Sequence, residues 1–228
     1  MSSSSSSPPS KTLTEEKFSE FYAKWMDQLE QFLQVLAMAY RRTSNNQVDY
    51  QAMVDKLTAH HKEYYSFKWA AAREDVLAFY APVWLTPMEN AYQWVTGWKP
   101  STAFRVAKSV AGVTEEQGKK IEALRLKVKV EEDRVEREME RQQVAVAGRK
   151  MVDLMRRRVG EGEVEAVKGV AEGMERVMRM ADCVRMKTLK GVMDALSPVQ
   201  CVVFLASMAV IHVRIRKLGM TMKTTTLP

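Results

Sequence analysis

The chain has 228 residues, of which 46% are hydrophobic and 28% charged, so it is long and apolar enough to bury a sizeable core. Lys and Arg outnumber Asp and Glu by 35 to 28, but the two signs alternate along helical faces, which is usual for a solvated surface. Two cysteines, Cys183 and Cys201, are too few for a disulfide framework. We therefore expect a reducing compartment, the nucleus or the cytoplasm.

The N-terminal third begins with a Ser/Pro-rich segment, residues 1–13, which we expect to be a disordered tail because it lacks the apolar core of a secretory signal. Apolar residues then recur every three or four positions from Phe18 to Tyr40, which predicts an amphipathic helix capped by Thr14. A polar break at 43–46 separates it from a second helix, expected from about Val48 to the proline at position 82.

A tryptophan-rich segment follows and carries clear helix signals. Thr86-Pro87-Met88-Glu89 reads as a capping box with proline at the first helical position. Gly97 is expected to end this helix in the left-handed conformation, and Pro100 prevents its resumption. The pattern predicts one short helix fixed at both ends, followed by another over about 101–110.

The C-terminal half is expected to contain three long helices. A capping box at 114–117 opens a charged helix, glycines at 160 and 162 indicate a turn, and a further apolar stripe runs over 164–196. A second Pro-containing box at 197–200 opens the last helix, which Gly219 is expected to end.

No strand pattern appears, so the sequence predicts an all-α bundle of about six to seven helices. We expect a single domain over residues 14–219 and a flexible C-terminal tail over 220–228. The longest apolar stretch, Val199 to Val213, is interpreted as a buried helix because it is too short to span a bilayer.

Several stretches together resemble the plant Delay-of-Germination family, whose domain is also called seed dormancy control. The matching stretches are FSEFYAKW (18–25), AREDV (72–76), WLTPME (84–89), WVTGWKPS (94–101) and Phe104-Arg105. Thr114 to Gln117 with Gln142-Gln143 resembles the family's middle helix, and its closing helices are matched by Ala181-Asp182, Arg185, Thr188-Leu189, Leu196, Pro198 and Gln200. The same domain forms the C-terminal half of the TGA class of bZIP transcription factors. The resemblance covers about residues 15–219, but no basic region or leucine zipper precedes it here.

The resemblance implies a plant regulatory protein that acts by protein contact in seed dormancy, development or transcription. Its implied partners are regulatory proteins such as signalling phosphatases, co-activators or bZIP factors, and a homodimer is also consistent with it. DNA association is a second alternative that rests on the TGA relatives alone, since a groove-reading element is missing.

The aromatic segment supplies candidate binding residues. Trp84, Trp94 and Trp98 have too much apolar area to be exposed together, so most of the tryptophans should fill the core. The functional alternative is that one or two line a pocket for an apolar ligand such as a fatty acid, or for a partner helix. The basic residues Arg105, Arg156, Arg157 and Arg158 complete the candidate partner or ligand surface.

The three histidines are candidate ligands only under a haem alternative. His212 lies on the last apolar helix, and His60 and His61 are adjacent on the second. Their spacing does not fit a metal site, and no phosphate-loop, dinucleotide, nucleophile-elbow or zinc-protease motif is present. We therefore expect no enzyme activity, no metal and no cofactor, with haem or an apolar ligand as the alternative.

Overall fold

The computed structural model describes residues 11–41, 49–148 and 161–225, and within these ranges the chain is an all-α bundle without strands, as predicted. One 3₁₀ turn, Leu77–Phe79, lies between the second and third of the described helices. These helices are α1 (Leu13–Arg41), α2 (Tyr50–Glu74), α3 (Pro87–Ala91), α4 (Ser101–Lys108), α5 (Glu115–Ala147), α6 (Glu161–Ala195) and α7 (Pro198–Thr225).

The longest helices form an antiparallel pair. Early α5 meets late α6, where Leu124 lies against Gly191, and Glu131 further along α5 pairs with Lys187. The other layer consists of α1 and α2, and α7 packs against both of them as well as against α3 and α4. The main core lies between these layers, and α7 contributes Phe204 and Leu205 to it.

The three predicted capping boxes are present. Thr86 Oγ1 accepts a hydrogen bond from the Glu89 N–H, and the Glu89 carboxylate accepts one from the Thr86 N–H at 2.7 Å. Thr114 and Gln117 repeat this arrangement at the start of α5. The box at 197–200 does the same for α7. Each box satisfies two backbone donors that a helix start would otherwise leave unpaired.

Two predicted helix boundaries in the first layer are wrong. The cap of α1 is Thr12, whose hydroxyl accepts from the Glu15 N–H, while the expected cap Thr14 is buried within the first turn. Helix α2 ends at Glu74 rather than continuing to position 82. Asp75 is extended there, and its carboxylate accepts from the Ala78 N–H of the 3₁₀ turn, which competes with helix continuation.

The predicted turn at 160–162 is wrong at Gly162, which lies inside α6, while Gly160 lies outside the described residues. Gly219 does not end the last helix either. It is buried within α7, which continues to Thr225, so residues 220–225 of the expected tail are helical. A Cβ at Gly219 would lie 2.1 Å from Thr86 Oγ1, so this glycine allows α7 to approach the α3 cap.

Helix α7 is the most apolar helix described. Over Pro198–Met222 its length and mean hydropathy of 1.7 would suffice to cross a membrane, so the expectation that this stretch is too short is not supported. The helix nevertheless packs against four other helices, and its Phe204, Leu205 and Met208 are buried. This packing is that of the core helix of a bundle.

The glycine in α7 gives a test of this packing. We expect Gly219→Ala to lower the free energy of unfolding by about 1–3 kcal/mol, because the added methyl displaces the Thr86 hydroxyl from its capping position. Gly169→Ala is the matched control: no atom lies within 4 Å of its Cβ position, and alanine should stabilise α6 by about 0.5–1 kcal/mol. Urea unfolding measures both, and equal effects of the two substitutions would contradict the close approach.

Candidate functional site

The tryptophan-rich segment is a short helix followed by a tight turn, not the single helix predicted to reach Gly97. Helix α3 ends at Ala91, and Trp94 and Gly97 then exchange two backbone hydrogen bonds, with N···O distances of 2.6 and 3.2 Å. The residues between them, Val95 and Thr96, have φ values of 36° and 56°. Left-handed backbone is strained for β-branched residues, so the surrounding structure must hold this turn in place.

Two buried cations hold the turn from the inside. The Arg185 guanidinium donates to the carbonyl oxygens of Trp94, Val95 and Trp98, at distances between 2.5 and 2.7 Å. The Lys68 ammonium donates to the carbonyl and to the hydroxyl of Thr96, each at 3.0 Å. The strained turn thus presents a set of carbonyl oxygens that solvates two charges which water does not reach.

Asp182 is the counter-ion of both cations. One of its oxygens accepts from Lys68 Nζ at 2.9 Å and from Arg185 at 2.5 Å, and the other accepts from Trp69 Nε1 at 3.0 Å. Asp182 and Lys68 are fully buried, and Arg185 is 1% exposed. Desolvation by burial lowers the pKa of Lys68 to about 8, while Asp182 opposes that shift. The Lys68 charge at neutral pH therefore depends on its bond to Asp182.

Gly97 has a different role from the one the sequence suggested. Its φ is not in the left-handed region, but a Cβ at this position would lie 2.9 Å from Arg185 Cζ. The missing side chain therefore lets the guanidinium approach the turn. The residue that braces this loop is Arg185.

Beside this network lies a small aromatic cavity with a volume of about 90 Å³. Its wall is formed by α1, α2, the segment 79–98, α6 and α7. The aromatic lining consists of Tyr22, Trp25, Tyr64, Tyr65, Phe79, Trp84, Tyr92 and Trp98. The polar lining includes His61, His212, Glu89 and the three charged residues of the network. Apolar walls with a few convergent polar groups are typical of small-molecule sites.

His212 is the polar group in this cavity that has an unmet hydrogen bond. Its Nδ1 is buried and has no hydrogen-bond partner within the described ranges. Burial lowers the pKa of His212 to about 4, and the neighbouring His61 adds to the shift. The ring is therefore neutral at pH 7. His61 also lines the cavity, but its Nδ1 lies 2.8 Å from the Leu57 carbonyl oxygen.

His60 is placed apart from these two histidines. Its ring stacks on Trp25 with a centroid distance of 4.7 Å, and its Nε2 lies 3.1 Å from the Trp25 carbonyl oxygen. Trp25 returns a hydrogen bond from its indole to the His60 carbonyl. Burial lowers the pKa of His60 to about 4. The pair ties α1 to α2.

The predicted surface residues fall into three places. Trp84 and Trp98 line the cavity, and Trp98 is 9% exposed. Trp94 is half-buried, with its ring facing the Arg185 guanidinium and its indole N–H donating to Glu136. Arg105 is exposed on α4. The three arginines at 156–158 lie outside the described residues. In the part of the chain that the structure describes, no group of three or more His, Cys, Asp or Glu is placed to hold a metal ion.

Sequence reasoning missed the central residues Lys68, Asp182 and Arg185. A signal was present in α6, where the apolar stripe skips from Ala181 to Leu189 and Arg185 occupies the empty position. A charged residue inside an apolar stripe must be paired when it is buried. Lys68 carries no such signal, because α2 is amphipathic only weakly.

Comparison with known proteins gives the family. The model of the family DOG1, described as seed dormancy control, matches residues 26–109. Protein DOG1-like 4 of Arabidopsis thaliana is 50% identical over 219 residues, which cover 92% of this chain and 94% of that protein. The chain belongs to the DOG1 family. The resemblance that the sequence motifs indicated is thus confirmed.

Other relatives are more distant from this DOG1 family chain. Protein RESPONSE TO ABA AND SALT 1 of Arabidopsis thaliana is 28% identical, with 90% of this chain and 96% of that protein aligned. Transcription factor TGAL7 of Oryza sativa subsp. japonica is 29% identical over 181 residues, which cover 74% of this chain but 36% of TGAL7. The similarity to TGA factors is therefore confined to part of those longer proteins.

The buried charge network of this DOG1 family member predicts a large effect of one isosteric change. We expect Asp182→Asn to lower the free energy of unfolding by about 3–5 kcal/mol, because two buried cations lose their counter-ion. Asp194→Asn on the same helix is the control. It removes a pair with Lys190 that is 61–74% exposed, and its cost should stay below about 1 kcal/mol. Similar denaturant midpoints for the two variants would contradict the central role of Asp182.

Proposed function

We propose that this protein is a non-enzymatic plant regulatory protein that acts by binding other proteins in seed dormancy, developmental or transcriptional control. The observation that carries the proposal is the 50% identity to Protein DOG1-like 4 over almost the whole of both chains. The partial similarity to a named transcription factor supports a role in gene control, and with it a nuclear or cytoplasmic location. The partners proposed are regulatory proteins, with signalling phosphatases, co-activators and bZIP factors as the classes to test, alongside a homodimer.

The surface offers one segment suited to such contacts. Within residues 77–92 four apolar side chains are exposed, although the same segment also lines the cavity. The exposed fractions are 47% for Leu77, 44% for Val83, 39% for Met88 and 37% for Tyr92. Apolar and aromatic side chains that stand on a rigid support are favourable anchors for a partner, because little side-chain entropy is lost on binding. We therefore place the partner contact on this segment.

Direct DNA binding is a weaker proposal for this chain. Helix α5 carries eight Lys and Arg against nine Asp and Glu, and most of these cations pair with acids of the same helix, as in Lys119–Glu115 and Lys120–Glu116. A duplex lying along this helix would meet those carboxylates as well as the cations. The resemblance to TGA factors is consequently the only support for DNA association.

Affinity capture tests the proposed function. We expect the full chain to recover regulatory proteins from seed or flower extract, and Val83→Glu to reduce that recovery about tenfold or more, as when one central interface residue is lost. Val130→Glu on α5 is the matched control, because Val130 is 65% exposed and lies outside the segment 77–92. Capture of no regulatory protein above background would contradict the proposal, and equal losses for both variants would contradict the placement of the contact.

A second candidate function is the sensing of a small apolar ligand in the aromatic cavity. It is favoured by one observation, the unpaired Nδ1 of His212 in an aromatic wall. A volume of about 90 Å³ suits a small aromatic compound or a short alkyl chain. A haem macrocycle would require the walls to move, so we propose a small apolar ligand in preference to haem.

Binding of indole and benzene tests whether the cavity is a ligand site or only a packing void in the core. We expect indole to raise the thermal unfolding midpoint, because its N–H can meet His212 Nδ1 while its rings contact the aromatic wall. His212→Leu should weaken indole binding about three- to tenfold by removing one hydrogen bond, and should leave benzene binding nearly unchanged. No midpoint shift with either compound at millimolar concentration would sink the ligand proposal.

A further inference from the structure

Another recess lies between α4 and α5. This basic groove has a volume of about 320 Å³ and is lined by Ser101, Phe104, Arg105, Lys108, Arg125 and Lys129. Four of these six residues are cations. Arg105 and Lys108 are three positions apart on α4, whereas Arg125 and Lys129 are four positions apart on α5. At these spacings each helix presents its two cations on one face, towards the other helix.

The charges in the basic groove are only partly balanced. Arg125 bonds to Glu122 at 2.6 Å and Lys129 to Asp133 at 2.7 Å, while Lys108 lies 3.8 Å from the same Glu122. Arg105 has no hydrogen-bond or ion-pair partner anywhere in the described part of the chain. Four cations therefore face two carboxylates, so the groove keeps an excess of positive charge that these two carboxylates do not balance.

The helix that carries Arg105 is held firmly. Ser101 donates its backbone N–H to the buried Glu132 of α5 at 2.6 Å, and Phe104 is 2% exposed. Arg105 and Lys108 are exposed on the other side of the same helix. The backbone below the groove is thus fixed, and only the ends of the long side chains have to adjust to a ligand.

The existing ion pairs would not block an incoming anion. In these pairs the side chains are between 39% and 66% exposed. Exposed pairs of this kind contribute little to stability, so their exchange for another anion costs little. A phosphate monoester carries up to two negative charges and three acceptor oxygens, which suits the forked donors of Arg105 and Arg125 better than a single carboxylate does.

We propose that the basic groove binds the phosphate of a phosphorylated serine or threonine segment of a partner protein. The inference rests on the proposed function, since it names the chemistry by which one protein partner is recognised. A volume of about 320 Å³ accommodates a phosphorylated side chain and its neighbours. Ser101, which is half-buried at the start of α4, offers an uncharged edge for the adjoining peptide backbone.

Larger polyanions fit this surface less well. Acidic residues stand on α5 on both sides of the groove, with Glu115 and Glu116 before it and Glu136 after it. A DNA duplex or a flat anionic membrane extends well beyond one groove and would lie against these carboxylates. A single phosphate on a short segment meets only the cations.

NMR titration of the full chain tests the inference. The probe is a phosphoserine peptide library with randomised flanking residues, and the reference is the same library without phosphate. We expect the phosphorylated library to shift the resonances of the groove residues at concentrations at least about tenfold lower than the unphosphorylated library does. The reason is that the peptides without phosphate cannot form the charge-assisted hydrogen bonds to the groove cations. Equal binding of the two libraries would overturn the inference.

Two variants locate the site. Arg105→Gln should weaken binding of the phosphorylated library about tenfold, and because Arg105 is exposed and has no partner the unfolding midpoint should not change. Arg134→Gln is the control, an exposed arginine of α5 outside the groove, and its effect should be about twofold or less. Equal losses for the two variants would show diffuse attraction and would reject a defined site.

Further probes separate this inference from the proposed function. Free phosphoserine should shift the same resonances at millimolar concentration and lose that effect in Arg105→Gln, whether or not capture recovers a partner. If the capture of regulatory proteins persists after phosphatase treatment and in Arg105→Gln, the groove proposal is contradicted. The proposed function would then still hold. Stronger binding of random duplex DNA or of phosphatidylserine vesicles than of the phosphorylated library would reject it in favour of a polyanion surface.

Discussion

The buried bond between Asp182 and its two cations is the constraint on which the aromatic region depends. Without Asp182, Lys68 and Arg185 would be uncompensated charges in the core, which is among the most costly defects a protein can contain. With it, their remaining donors are free to bind the backbone of the turn at 94–97. The strain in Val95 and Thr96 persists because this network over-determines their conformation.

The helices could be predicted from the sequence because their signals are local. Capping boxes such as Thr86 to Glu89 and periodic apolar residues depend only on neighbours three or four positions away. The boundaries that failed depend on tertiary contacts. Gly219 reads as a helix end, but its absent side chain serves the approach to Thr86, and Gly97 serves the approach to Arg185 in the same way. A glycine in the sequence can indicate either a left-handed backbone conformation or a close approach by another part of the chain. Only the folded structure shows which of the two applies.

The candidate site was predictable only in part for a similar reason. The tryptophans at 84 and 98 were recognisable as an aromatic wall, and His212 as a polar group on an apolar helix. The network opposite them joins residues separated by more than one hundred positions, such as Lys68 and Asp182. No local spacing encodes such a pair. A charged residue that interrupts an apolar stripe gives the location of one member but not the identity of its partner.

The aromatic segment is also held from the outside, and this links the two recesses. Trp94 Nε1 and Lys99 Nζ both donate to one oxygen of Glu136 on α5, and these bonds hold the pKa of Glu136 below its usual value. Two residues further on, Ser101 is bonded to Glu132. The backbone between the cavity and the basic groove is therefore fixed by buried charges on one side and by α5 carboxylates on the other. A change in the turn at 94–97 would have to alter both sets of bonds, so the wall of the cavity and the position of Arg105 are parts of one rigid element.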